Sequence, residues 1–205
     1  MEALARRKIS FKEQQFKFRN DAILDAVNGL LATKGFDLMT MDEVAAQVGI
    51  AKASLYKHFA SKEDLAAAAS TRLLDRALDE MKAQPAEGQP LDKLRAIVAW
   101  SIRVHLADQM PLLPSTRSSI RQAMSAHEGY MKKLAEVSAL LGEWISQGQA
   151  AGELSTTVTG ELILYVIFAR SCDPVVDFLR AGGSMSDEEI VDQVVRACFE
   201  GISAR

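Results

Sequence analysis

The sequence predicts an all-α fold, and three observations carry that expectation. Apolar residues recur at three- and four-residue spacing through most of the 205 residues. Only five prolines and twelve glycines interrupt the chain, a composition that favours helices over sheet. Several apolar runs are preceded by Ser or Thr with an acidic residue three positions on, the signature of a helix start. Hydrophobic residues are 48% of the chain and charged residues 25%, enough for a packed core under a solvated surface.

The first periodic segment covers about 17–34, where Ile23, Leu24, Val27, Leu30 and Leu31 share one face. Gly35 follows, in the place where a helix ends on a left-handed residue. Thr40-Met41-Asp42-Glu43 has the capping-box form and opens a helix of about two turns that turns Val44, Ala45 and Val48 inward and closes at Gly49. Ile50 anchors a tight turn. A second short helix is expected over about 52–59, with Leu55 and Phe59 inward and Lys52, Ser54, Lys57 and His58 outward. Ser61 and Asp64 open a long helix to about residue 81, expected to pack against both parts of the protein.

Residues 84–90 hold two prolines and a glycine and form the best linker. Four or five helices should follow. Leu91, Leu94, Ile97, Val98, Ile102 and Val104 define one over 91–107, and the prolines of 110–114 end it. A short helix is expected over 116–124. Ser125 and Glu128 suggest a capping box for a helix over 126–151, stopped by Gly152. The stretch 157–171 is apolar on nearly every side; a buried strand would also fit, but its surroundings favour helix. Asp173-Pro174 reads as an N-cap with proline in the first turn, and Ser186–Glu189 as the capping box of a last helix ending near Ile202.

Net charge is −3, but it is unevenly placed. Residues 1–62 carry ten Lys/Arg against seven Asp/Glu, a net of +3, and the remainder fourteen against twenty, a net of −6. No uncharged run approaches the roughly 18–20 residues of a membrane span, and no apolar run follows Arg6, Arg7 and Lys8 as in a signal peptide. Cys172 and Cys198 stand apart, which suits small core or interface residues in a reducing cytoplasm. A cytoplasmic protein without a membrane segment is expected. His58, His105 and His127 lack metal-ligand spacing, and no phosphate-cradling glycine loop or nucleophile elbow is present, so neither an enzyme, a metal site nor a cofactor is expected.

Two short helices joined by a tight turn, with a helix before and another after, make a helix-turn-helix over 41–59. A recognition helix packs through one apolar face and offers small and polar side chains to a major groove about 12 Å wide. Residues 52–58 have that form: Ala51 and Ala53 permit close approach, Ser54 and Lys57 reach base edges or phosphates, and Tyr56 and His58 donate to phosphate oxygens. Thr40 and Met41 stand at a helix N-terminus, where free backbone N–H groups favour phosphate, and Lys62 adds a nearby cation. In isolation a solvated cationic surface would explain the lysines, and packing would explain His58.

The run Met39-Thr40-Met41-Asp42-Glu43-Val44-Ala45, then Val48-Gly49-Ile50-Ala51-Lys52-Ala53-Ser54-Leu55-Tyr56-Lys57-His58-Phe59, then Ser61-Lys62-Glu63-Asp64-Leu65, resembles the DNA-binding signature of TetR/AcrR-type regulators. Ala51 and Ala53 stand where Ser and Gly are frequent in that family, and Ser54 where Thr is. The resemblance implies a three-helix DNA-binding domain over 1–64, with 1–16 a flexible basic arm, and a helical effector-binding and dimerisation domain over 65–205. It implies a homodimer on a roughly palindromic double-stranded operator, with Tyr56 and Lys62 on phosphates and Lys52, Ser54 and Lys57 carrying base readout. Arg6, Arg7, Lys8 and Lys12 then form either an arm reaching the minor groove or a solvated tail.

A small, largely apolar or aromatic effector is expected among Trp100, Val104, Met110, Met124, Tyr130, Trp144, Phe168 and Cys172, residue types that also build plain core. Residues 162–168 and the series Ile190, Val191, Val194, Val195, Phe199 and Ile202 carry more apolar area than one monomer readily hides, so the dimer is expected through the last two helices. The function expected is a ligand-responsive repressor; an activator of the same fold or a non-catalytic helical adaptor are the alternatives.

Overall fold

The computed structural model describes residues 10–111 and 120–202, which form helices and turns without a strand. In chain order the helices are α1 (Phe11–Thr33), α2 (Gly35–Leu38), α3 (Met41–Val48), α4 (Lys52–Leu55), α5 (Lys62–Ala83), α6 (Pro90–Leu106), α7 (Ile120–Ala126), α8 (Glu128–Ala150), α9 (Gly160–Ser171), α10 (Val175–Gly182) and α11 (Asp187–Glu200). Among the described residues, no helix is long and apolar enough to cross a membrane.

Helix α1 starts six residues before the first periodic segment. Ser10 accepts from the Glu13 amide at 3.2 Å and Glu13 returns to the Ser10 amide at 2.7 Å, a complete capping box. Residues 11–16 are therefore helix and not part of a flexible arm. Arg6, Arg7 and Lys8 lie outside the described residues. Thr40–Glu43 and Ser186–Glu189 form the expected boxes, on α3 and α11. Gly49 closes α3 at φ 73°, a backbone state that disfavours any side chain. Gly35 has φ 73° as expected of a stop, but one further turn, α2, follows and buries Phe36.

The box expected at Ser125–Glu128 does not form. Helix α7 runs on to Ala126, so the Ser125 hydroxyl donates to the Arg121 carbonyl one turn back, at 2.9 Å. His127 caps α8 in its place, its Nδ1 accepting from the Tyr130 amide at 3.1 Å. The stretch 157–171 contains α9, helical as expected; Ile163, Leu164, Ile167 and Phe168 pack inward and Leu162, Tyr165 and Val166 face out.

Two cores result. Ile23, Val27 and Leu31 of α1 meet Val44 of α3, Leu55 of α4, and Leu65, Ala66 and Ala69 of α5 in the first. The second gathers Leu78 and Met81 of α5, Leu94, Val98 and Ile102 of α6, Leu141, Trp144 and Ile145 of α8, and Ile190 and Val194 of α11. Helix α5 thus belongs to both, and residue 64 lies in its first turn. Ile120 of α7, 3% exposed, is buried in the first core with Met124 against it. Ion pairs reinforce the joint: Arg72 of α5 with Asp21 and Asp25 of α1 at 2.8 and 3.1 Å, and Lys133 of α8 with Asp75 of α5 at 3.1 Å.

Helix α11 covers part of the expected dimer face within the monomer. Ile190, Val191 and Val194 are buried within the monomer, because α6 offers a matching apolar face, and α11 turns Asp187, Glu188, Asp192 and Arg196 outward. Ile202 is exposed beyond the end of α11. Exposed apolar side chains also lie on α9, within the expected 162–168 stretch, and on α10: Leu162, Tyr165, Val166, Val175 and Phe178, the last 74% exposed.

Candidate nucleic-acid interface

Helix α4 is shorter than the expected 52–59. Ala51 supplies no side-chain cap, and regular α-helix ends at Leu55. The backbone then tightens, with Lys57 donating to the Ser54 carbonyl at 3.2 Å and His58 to that of Leu55 at 2.9 Å. Leu55 is fully buried and Phe59 buried, which anchors the segment and turns Ala51, Lys52, Ala53, Tyr56 and Lys57 to solvent, with Ser54 half-exposed. This is the arrangement expected of a groove-reading helix.

The predicted contacts differ in how freely they are presented. Lys57 is exposed, and its ammonium forms no hydrogen bond or ion pair among the described residues. The Tyr56 ring is 48% exposed. Lys52 instead reaches back to Asp42 at 2.8 Å, and that hydrogen bond raises its pKa. Thr40 is occupied with its own helix, its hydroxyl accepting from the Glu43 amide at 3.2 Å. The Lys34 ammonium bonded to Glu43, together with Thr40, holds that carboxyl below its usual range. The amides of Met41 and Asp42, first in α3, have no acceptor within the helix and remain available to a phosphate. Lys62 lies over the Phe36 ring at 4.3 Å and donates to the Asp37 carbonyl at 3.4 Å. His58 stacks on Phe16, and burial, reinforced by the charge of Arg19, lowers its pKa.

The eight candidate effector residues do not form one site. Trp100, Val104, Met110 and Cys172 gather with Leu73 of α5 in a small cluster between the two cores. Tyr130 is half-buried, and burial raises the pKa of its phenol, with Cys172 as the second cause. Burial pushes the Cys172 thiol up to about 11, so it is a neutral small group whose Sγ lies 3.6 Å from the Pro111 carbonyl oxygen. Met124 packs on the first core, and Trp144 and Phe168 belong to the second. Separately, a groove of about 350 Å³ runs between α6 and α11, but its arginines are paired, Arg103 with Glu188 at 2.7 Å and Arg95 with Glu200 at 3.3 Å.

Phe16 and Arg19 escaped the sequence reading, although Ser10 and Glu13 have the spacing that extends α1 to include Phe16.

Comparison with known proteins decides the lineage. Residues 23–69 match the family described as bacterial regulatory proteins, tetR family. Residues 87–202, more than half of the chain, match its tetracyclin repressor-like C-terminal domain. The chain belongs to the TetR family. Among curated members of this family of transcriptional regulators, it is 27% identical over 196 residues to the uncharacterized regulator YdeS of Bacillus subtilis, covering 89% of each chain. It is 32% identical over 77 residues to the regulator AlkX of Mycobacterium tuberculosis, a match spanning 38% of this chain and 36% of that protein. In fold it is similar to the regulator FadR from Bacillus subtilis solved in complex with stearoyl-CoA, with TM-score 0.65, 19% identity and coverage of 89% and 99%. It is likewise similar to AibR solved with isovaleryl coenzyme A and operator DNA, with TM-score 0.63, 22% identity and coverage of 88% and 98%. TetR-family proteins are DNA-binding transcriptional regulators, and the helix-turn-helix of this chain is their DNA-binding element.

Proposed function

We propose that this TetR-family chain is a homodimeric repressor that leaves its operator when an apolar-tailed acyl thioester binds beside α6. The observation that carries the DNA half is the exposed, uncommitted face of Tyr56 and Lys57 set over a fully buried Leu55. The effector half rests on the cluster of Leu73, Trp100, Val104, Met110 and Cys172, with Tyr130 near Cys172. These are neutral side chains, suited to an acyl chain. The coenzyme A esters bound to FadR and AibR support that class of ligand.

The exposed stripe of Leu162, Tyr165 and Val166 on α9, with Phe178 on α10, forms the dimer face. Two-fold symmetry then sets the recognition segments about one turn of DNA apart. An effector releases DNA only by binding more tightly to a dimer whose segments are wrongly spaced. Helix α7 links the halves, since Ile120 lies in the DNA-binding core while α7 leads directly into α8.

The test is binding to DNA upstream of the protein's own gene, measured against salt and by selection from random sequence. Wild-type affinity falls steeply with salt as counterions are released. Lys57→Ala weakens binding by about 1–3 kcal/mol and relaxes preference at one position in each half-site. Tyr56→Phe weakens all sequences alike. Salt-insensitive wild-type binding contradicts the DNA reading, and a Lys57→Ala variant with unchanged preference reduces that lysine to a phosphate contact.

A further inference from the structure

The capping box at Ser10 lengthens α1, and the added turns bring one side chain to the recognition segment. The rings of Phe16 and His58 stack with centroids 4.6 Å apart and planes 20° from parallel. The ring of Phe59, buried in the first core, lies 6.3 Å from the same imidazole. His58 Nδ1 is buried and has no hydrogen-bond partner among the described residues. The Nδ1–H tautomer would bury an unsatisfied N–H, and the doubly protonated ring a charge as well, whereas a neutral ring with its proton on Nε2 buries only a lone pair. Burial and Arg19 both favour the neutral ring. Nε2 is then a donor without an acceptor among the described residues.

The segment needs such bracing. Helix α4 is a single turn without a side-chain cap, held by Leu55 and Phe59 from the core side and by the exposed Lys52–Asp42 pair at its start. Phe16 is itself 56% exposed, so its ring adds little to the core.

We propose that Phe16 is a positioning residue for DNA binding: its ring holds the His58 imidazole so that Nε2–H meets a backbone phosphate. The inference rests on the DNA-binding reading above and adds a residue outside the helix-turn-helix. Stacking of this kind corresponds to about a two- to tenfold effect on affinity.

Two measurements on the full chain test it. The first is nitrogen NMR of imidazole-labelled protein without DNA. Wild-type His58 shows the Nε2–H neutral form and titrates below the ordinary histidine range. In Phe16→Ala both tautomers are populated and the midpoint moves up toward the ordinary value. The second is affinity for the DNA fragment that wild-type protein enriches from genomic DNA. Phe16→Ala weakens binding about five- to tenfold, Phe16→Tyr restores it, and melting temperature stays within about 2 °C of wild type. The double variant Phe16→Ala/His58→Ala binds no worse than His58→Ala alone. Full affinity in Phe16→Ala overturns the proposal, as do losses that simply add in the double variant. A loss that tracks a lowered melting temperature and resists rescue by tyrosine assigns Phe16 to folding and also overturns it. If wild-type protein enriches no DNA, the DNA-binding reading fails first and this inference with it, whatever the NMR shows.

Discussion

Tyr165→Glu sediments as a monomer at micromolar concentration and binds its operator at least about a hundredfold more weakly than wild type. Tyr165 is 60% exposed on α9, with Leu162 one turn before it and Val166 beside it, the i, i+3, i+4 pattern of a helix face made for another helix. In the proposed dimer this face meets its copy, so each glutamate enters an apolar seam opposite its symmetry mate. Burying such a charge without a partner costs several kcal/mol. Each monomer then holds only one half-site. Phe178→Asp on α10 gives the same result. A Tyr165→Glu protein that remains dimeric with full operator affinity removes α9 from the interface.

Ile120→Ala combines a stability loss with a loss of response. Ile120 is buried in the DNA-binding core although it belongs to α7. Truncating it leaves a cavity against the first core and lowers unfolding free energy by about 2–5 kcal/mol, read by urea denaturation. Protein that remains folded still binds DNA, because Leu55, Tyr56 and Lys57 are untouched, but the effector shifts its affinity much less than in wild type. The stability loss follows from packing alone; the lost response follows only if α7 couples the halves. An Ile120→Ala variant that is destabilised yet released normally by effector moves the coupling elsewhere, with Arg72 between Asp21 and Asp25 the next joint to examine.

The helix-turn-helix was legible because its signals are local. The Thr40–Glu43 box, Gly49 at the turn, and Leu55 and Phe59 facing inward lie within twenty residues of one another, and each survives in the fold. Periodicity records burial, however, and not helicity. Phe11, Phe16 and Phe18 are exposed, so the first turns of α1 gave no apolar face to read, although Ser10 and Glu13 marked the true start. Helix α11 shows the opposite case. Its apolar face is plain in sequence, but whether α6 or a partner chain covers it depends on packing between residues about a hundred positions apart. The same holds for the effector residues: Met124 and Met110 look alike in sequence, and only the path of the chain sends one to the DNA-binding core and the other to the cluster at Leu73.

One titration tests the central claim most directly. Fluorescence anisotropy of labelled upstream DNA is followed as wild-type protein is added, and then as acyl-CoA esters of increasing chain length are added to the saturated complex. The account predicts saturable, salt-sensitive binding, release by acyl-CoA at micromolar concentration, and no release by free coenzyme A. A complex that no acyl-CoA ester dissociates, or that free coenzyme A dissociates equally well, contradicts it.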